Sequence, residues 1–208
     1  MAVKESSDEL NPPVTTSADV SSPHRKRSPT DYLALAIATC GVGYLPLAPG
    51  TWGSLVGVGI YILLRSLNLG FIRHYAPANS YLLSNPQASF LVIELIAITA
   101  IILVGIWAGS RAERLLKRKD PGKVVIDEVA GQLISLLPIP LMVLEPWWLL
   151  VIIAFLIFRF FDIIKPYPAR RLESLESGLG IMADDIVAGA YAAVVVAVGV
   201  LVTMDWII

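Results

Sequence analysis

Adjacent acidic residues recur in the apolar part of this sequence, and basic residues stand close to another acid. Asp127-Glu128 and Asp184-Asp185 are adjacent acidic pairs. Arg159, Asp162 and Lys165 follow one another at intervals of three, which places them on roughly one face of a helix. Because a carboxylate within an apolar segment is costly in free energy, each of these groups needs a chemical or structural reason.

Phosphate chemistry needs this mixture of side chains. A hard cation such as Mg²⁺ binds a few carboxylate oxygens and keeps water and substrate phosphate as its other ligands. Arginine and lysine neutralise phosphate oxygens. The predicted metal ligands and catalytic acids are Asp127, Glu128, Asp162, Asp184 and Asp185. The groups expected to bind the substrate phosphate are Arg159, Lys165 (also a predicted catalytic residue), Thr51 and Ser54, the last two beside a Pro-Gly turn.

A purely structural role is conceivable for each group taken alone. Asp184 would serve as a helix N-cap, with an adjacent acid gaining from the helix dipole. Arg159 and Asp162 would form an ion pair within a bundle, and Asp127-Glu128 would lie on a solvated face. The convergence of the groups on one predicted face favours a shared site. Glu94, within an apolar run, is expected to hydrogen-bond a neighbouring helix instead.

The composition places these residues in a membrane protein. Of 208 residues, 56% are hydrophobic and only 16% charged, whereas a soluble domain carries about a quarter charged residues. The mean hydropathy is +0.70. The net charge of −1 excludes a strong field for nucleic acid, so no nucleic-acid partner is expected. The single cysteine, Cys40, excludes an intramolecular disulfide.

Two regions follow from the pattern along the chain. Residues 1–30 are polar and are predicted to be a disordered tail, while residues 31–208 are predicted to form a membrane-embedded domain. The sequence predicts an all-α, polytopic membrane bundle of about four to five spanning helices, with a re-entrant or broken N-terminal segment at 43–51. The expected spans are 52–67, 88–109, 124–144 (interrupted by prolines), 147–164 and 186–204. The expected loops are 68–87, 111–123 and 165–183.

The positions of the basic residues predict how this bundle is oriented in the membrane. The clusters at 24–27, 111–123 and 165–183 are expected on the cytoplasmic side, as positively charged loops are. This orientation brings residues 41–54, 110–128 and 159–185 close to one cytoplasmic face.

Four segments of the sequence also resemble the signatures of the phosphatidylglycerophosphatase A family. They are GVGYLPLAPGTWGS at 41–54, IDEVAG at 126–131, FRFFDIIKPYP at 158–168 and GLGIMADDIVAG at 178–189. The resemblance implies a phospholipid substrate, phosphatidylglycerophosphate, which is hydrolysed with Mg²⁺ to phosphatidylglycerol and phosphate. It also implies a place in the bacterial cytoplasmic membrane.

Alternatives remain open from the sequence. Another lipid phosphomonoester would suit the same site. A small non-enzymatic membrane transporter would need charged residues at mid-bilayer depth, where only Glu94 is expected. A CDP-alcohol phosphotransferase would carry an Asp-Gly motif, which this sequence lacks. A metal-activated water is favoured over an aspartate as nucleophile, and the oligomeric state is not predicted.

Overall fold

The structure is a computed structural model that describes residues 27–75, 85–119, 121–141, 146–172 and 175–205. These residues form seven α-helices and one short 3₁₀ turn, and they include no strand. The helices are α1 (Pro29–Thr39), α2 (Pro49–Tyr75), α3 (Pro86–Leu116), α4 (Ile126–Leu136), α5 (Trp147–Ile164), α6 (Ala169–Leu172) and α7 (Ser177–Asp205). The 3₁₀ turn is Val42–Tyr44.

Four helices, α2, α3, α5 and α7, are long and apolar enough to cross a membrane. This confirms the predicted all-α, multi-pass membrane bundle. The predicted N-terminal tail falls almost wholly on residues 1–26, outside the described residues.

The N-terminal part is broken, as predicted. Helix α1 begins with a capping box, in which the Ser28 hydroxyl accepts from the Asp31 amide and the Asp31 carboxylate accepts from the Ser28 amide. With 11 residues it is too short to span a bilayer. It ends at Cys40 in the left-handed conformation, and the chain then turns through residues 41–48 before α2 begins at Pro49.

Helix α4 lies at the centre of the bundle and packs against α2, α3, α5 and α7. The expectation of a span at 124–144 is corrected, because α4 is only 11 residues long. Pro138 and Pro140 explain the early end, since a proline lacks the amide hydrogen and disfavours helix in the residue before it.

The irregular backbone after α4 is held by side chains from other helices. The Arg65 guanidinium donates to the carbonyls of Pro140 (3.1 Å) and Leu141 (2.7 Å). The Gln87 side-chain oxygen accepts from the Leu141 amide at 2.6 Å. Non-helical backbone at membrane depth is tolerated where protein groups satisfy it in this way.

The predicted loops are shorter in the structure. Helix α2 continues to Tyr75, and α3 begins at Pro86, where the Asn85 side chain accepts from the Ala88 amide. The loop predicted at 68–87 is therefore wrong at both ends. Helix α3 also continues through its basic residues to Leu116, since arginine and glutamate are good helix formers.

The loop predicted at 165–183 is corrected in the same way, because α7 begins at Ser177. Gly178 is part of this helix and not of a turn. A Cβ at Gly178 would contact the Ile106 carbonyl, and the Gly178 amide donates to the Ser110 hydroxyl at 3.0 Å. The glycine thus permits close packing of α7 on α3.

Candidate active site

Three of the predicted acids meet where α4 and α7 cross. Asp127 and Glu128 lie in the first turn of α4, and Asp185 lies in the third turn of α7. One carboxylate oxygen from each of the three lies within 4.8 Å of the others. We call these three residues the acidic cluster. An N-cap role for the Asp184-Asp185 pair is excluded, because α7 begins several residues earlier.

The other two predicted acids connect this cluster to the basic residues. Asp162, near the end of α5, lies beside Asp185 and pairs with Arg159, whose Nη1 is 2.6 Å from its Oδ2. The Oδ2 atom of Asp184 lies 2.6 Å from Nζ of Lys165. The ion pair between Arg159 and Asp162, which the sequence suggested, is therefore present, and Asp162 lies beside Asp185 of the acidic cluster.

The start of α2 approaches the same cluster. The Ser54 hydroxyl donates to the Gly50 carbonyl at 2.9 Å and accepts from Nη1 of Arg159 at 3.4 Å. A Cβ at Gly50 would contact Oε1 of Glu128 and lie 3.0 Å from Nη1 of Arg159. Thr51 lies half-buried in the first turn of α2. Of the two predicted hydroxyl residues, Ser54 is the one whose side chain hydrogen-bonds a site residue among the hydrogen bonds described.

Close helix packing holds the acidic residues together. A Cβ at Gly131 of α4 would lie 2.5 Å from Cε2 of Phe158 and 2.6 Å from the Asp185 carbonyl oxygen. A Cβ at Gly189 of α7 would meet the Gly131 carbonyl. These glycines allow α4, α5 and α7 to approach at the level of the carboxylates. The sequence motifs contained them, but their packing role could not be derived from the sequence.

The carboxylates of the acidic cluster are buried close to one another, which disfavours their negative charges. Burial raises the pKa of Asp127 well above its ordinary value, and the Glu128 and Asp185 carboxylates raise it further. Oδ1 of Asp127 and Oε2 of Glu128 are buried without a hydrogen-bond partner among the described residues. Since clustered carboxylate oxygens are the donors that a hard divalent cation prefers, the residues fit Mg²⁺.

Sequence reasoning missed a second buried polar group. Arg65 of α2 is buried, with its guanidinium carbon 4.8 Å from the Trp147 ring centroid and its Nη1 3.3 Å from the Tyr61 hydroxyl. Glu94 of α3 is also buried and lies within electrostatic range of Arg65. The expectation that Glu94 is alone as a charge inside the bundle is therefore wrong. The signal was an arginine inside the apolar run predicted as a span at 52–67.

Comparisons with known proteins show which family the chain resembles. A family model described as phosphatidylglycerophosphatase A matches residues 35–200. A Haemophilus influenzae protein named phosphatidylglycerophosphatase A is 35% identical over 84% of this chain and 92% of its own length. An Escherichia coli protein of that name is 29% identical over 74% of each chain.

A third relative has a different name. A Bacteroides thetaiotaomicron protein, whose name proposes phosphatidylinositol-3-phosphatase activity, is 35% identical over 80% of this chain and 93% of its own. No solved structure matches the chain.

Proposed function

The chain belongs to the phosphatidylglycerophosphatase A family, and from this membership we propose that it hydrolyses phosphatidylglycerophosphate to phosphatidylglycerol and phosphate. The reaction would depend on Mg²⁺ and take place at the cytoplasmic face of a bacterial membrane. The observation that carries the proposal is the acidic cluster, which lies next to Arg159 and Lys165 within a membrane-spanning bundle. Carboxylates that could hold a cation and bases that could hold a phosphate are thus close together.

The bond changes in this reaction are simple. A water oxygen bonds to phosphorus, the bond between phosphorus and the glycerol oxygen breaks, and that glycerol oxygen takes up a proton given by the attacking water, which leaves phosphate and the free alcohol. Asp127, Glu128 and Asp185 would hold Mg²⁺, with Asp162 and Asp184 beside them, and the ion would acidify the attacking water and offset developing charge.

Both basic residues are held in position by neighbouring side chains. Arg159 is oriented by Asp162 and Ser54, and its planar guanidinium suits two phosphate oxygens at once. Lys165 is held by Asp184 and supplies a compact charge. We infer that both residues neutralise the phosphate, while their carboxylate partners fix their positions.

A phosphate-release assay on purified protein tests the proposal. Phosphatidylglycerophosphate should be hydrolysed with Mg²⁺, and chelation should remove the activity. Activity that is unchanged by a chelator would contradict the metal requirement. Absence of hydrolysis of every lipid phosphate would contradict the function itself.

A second substrate is favoured by one observation. The Bacteroides relative, named for a phosphatidylinositol phosphate, is as similar to this chain as the Haemophilus relative is. The assay should therefore include phosphatidylinositol 3-phosphate at the same concentration. A higher kcat/KM for phosphatidylinositol 3-phosphate would make that lipid the preferred substrate. The proposed roles of the site residues would stay the same.

A further inference from the structure

A basic cavity that shares no residue with the acidic cluster lies between the start of α1 and the end of α3. Its volume is about 440 Å³. The residues that line it are Arg27, Asp31, Arg111, Arg114 and Leu115. None of them belongs to the proposed catalytic site, and three of the five carry a guanidinium group.

The charges of this cavity do not cancel. Nε of Arg111 lies 2.7 Å from Oδ1 of Asp31, and its Nη2 donates to the Thr30 hydroxyl at 3.1 Å. The amide of Ser28 and the Arg111 guanidinium lower the pKa of Asp31 to about 2, so its carboxylate stays charged at neutral pH. One carboxylate against three guanidinium groups leaves an excess of two positive charges, which favours an anion.

The length of α3 is sufficient for its basic end, and with it the cavity, to reach beyond the hydrocarbon core to the lipid head groups. Its 31 residues extend about 46 Å, whereas the hydrocarbon core of a bilayer is about 30 Å thick. Trp107 is 42% exposed and lies one turn before Arg111. Since tryptophan prefers the membrane–water interface, the arginines that follow it lie among the head groups.

We propose that this cavity binds the phosphodiester group of an anionic phospholipid, such as phosphatidylglycerol, as a site separate from the catalytic one. Guanidinium groups of Arg27 and Arg114 would bind the phosphate oxygens, and Arg111 stays anchored to Asp31. Leu115 provides apolar contact for the lipid next to its head group. Basic pockets beside spanning helices bind anionic head groups by the same chemistry.

Thermal stabilisation of the full chain in neutral detergent tests this site. Phosphatidylglycerol should raise the Tm of the parent, and phosphatidylcholine should not. Arg27→Gln and Arg114→Gln should each weaken the apparent affinity for phosphatidylglycerol about tenfold, since each removes a charged phosphate contact. Arg73→Gln removes an exposed arginine at the far end of α2 and should bind like the parent.

Additional variants and ligands in the same Tm measurement show whether the lipid binds in the basic cavity or in the acidic cluster. Loss of the stabilisation in Asp127→Asn, with normal stabilisation in Arg114→Gln, would place the lipid in the acidic cluster and overturn the proposal. Equal stabilisation by inorganic phosphate would overturn the lipid assignment. Arg27→Gln and Arg114→Gln should keep the phosphate-release activity of the parent. A parent without that activity but with the lipid-dependent shift would refute only the proposed function.

Discussion

Asp127 is both buried and surrounded by other carboxylates, so its charge is unfavourable unless a cation is present. Asp127→Asn keeps the shape and removes that charge. We expect phosphate release to fall by about 10²-fold or more, as when another charge-stabilising group is lost from an active site. In a chelator the variant should be as stable as the parent or more stable, because a repulsion has been removed. Phosphate release and Tm, measured on the same preparation, check both effects.

The stability of the chain in a chelator should also depend on pH. A carboxyl whose pKa is raised by folding contributes stability at low pH, and this contribution is lost as pH rises from the ordinary pKa through the raised one. The parent should therefore lose stability as the pH rises from acidic towards neutral, and Asp127→Asn should lose less. A parent and variant with the same pH profile, or full activity in the variant, would show that Asp127 does not have this role.

Among the contacts between helices, those of Arg65 connect α2 to the irregular chain that follows α4. Its guanidinium satisfies two backbone carbonyls and lies near the buried Glu94. Arg65→Met should lower the free energy of unfolding by about 3 kcal/mol, since two buried carbonyl acceptors lose their donor and a buried acid loses a nearby positive charge. Thermal unfolding in detergent measures this loss.

Catalysis should be unaffected by the same change below the unfolding transition. Arg65 lies 15 residues after Gly50 on α2, or about 22 Å along the helix axis. The control is Arg73→Met on the exposed end of α2, which should leave Tm nearly unchanged. An Arg65→Met protein with normal Tm would show that the contacts to residues 140 and 141 contribute little.

Hydrophobic runs predicted the four spanning helices, because a span must be long and apolar. The short helices α1 and α6 were not predicted, and α4 lies within what was predicted as a fifth span. Helix ends were less predictable. The Asn68 and Arg111 regions contain polar residues that are typical of loops, yet Asn68 is buried in α2 and Arg111 extends α3 past the apolar run. Gly178 falls in the loop predicted at 165–183, whereas in the structure its small size serves helix packing. A single sequence cannot distinguish these uses of glycine.

The residues of the acidic site were more predictable than the ends of the helices. Buried carboxylates are rare in apolar helices, so Asp127, Asp162 and Asp185 stood out without any knowledge of the fold. Their partners were less evident, because the contact between Lys165 and Asp184 depends on how α5 and α7 cross. Arg65 was missed because it is a single charge within the apolar run at 52–67, without a neighbouring motif.

For the molecule as a whole, residues from 27 onward supply the acidic cluster and the described contacts between helices. A chain that begins at Arg27 should therefore keep the specific activity and Tm of the full protein in detergent. It retains Ser28, whose side chain caps α1, and the first arginine of the basic cavity.

A chain that begins at Thr30 provides the matched comparison. It lacks the Ser28 cap, whose loss costs about 1 kcal/mol, and it lacks Arg27. We expect a lower Tm and weaker stabilisation by phosphatidylglycerol, with phosphate release close to that of the parent because the acidic cluster is intact. Loss of most of the activity in the chain that begins at Arg27, with an unchanged Tm, would contradict this prediction. If the chain that begins at Thr30 were as stable as the parent, the Ser28 cap would be irrelevant to the fold.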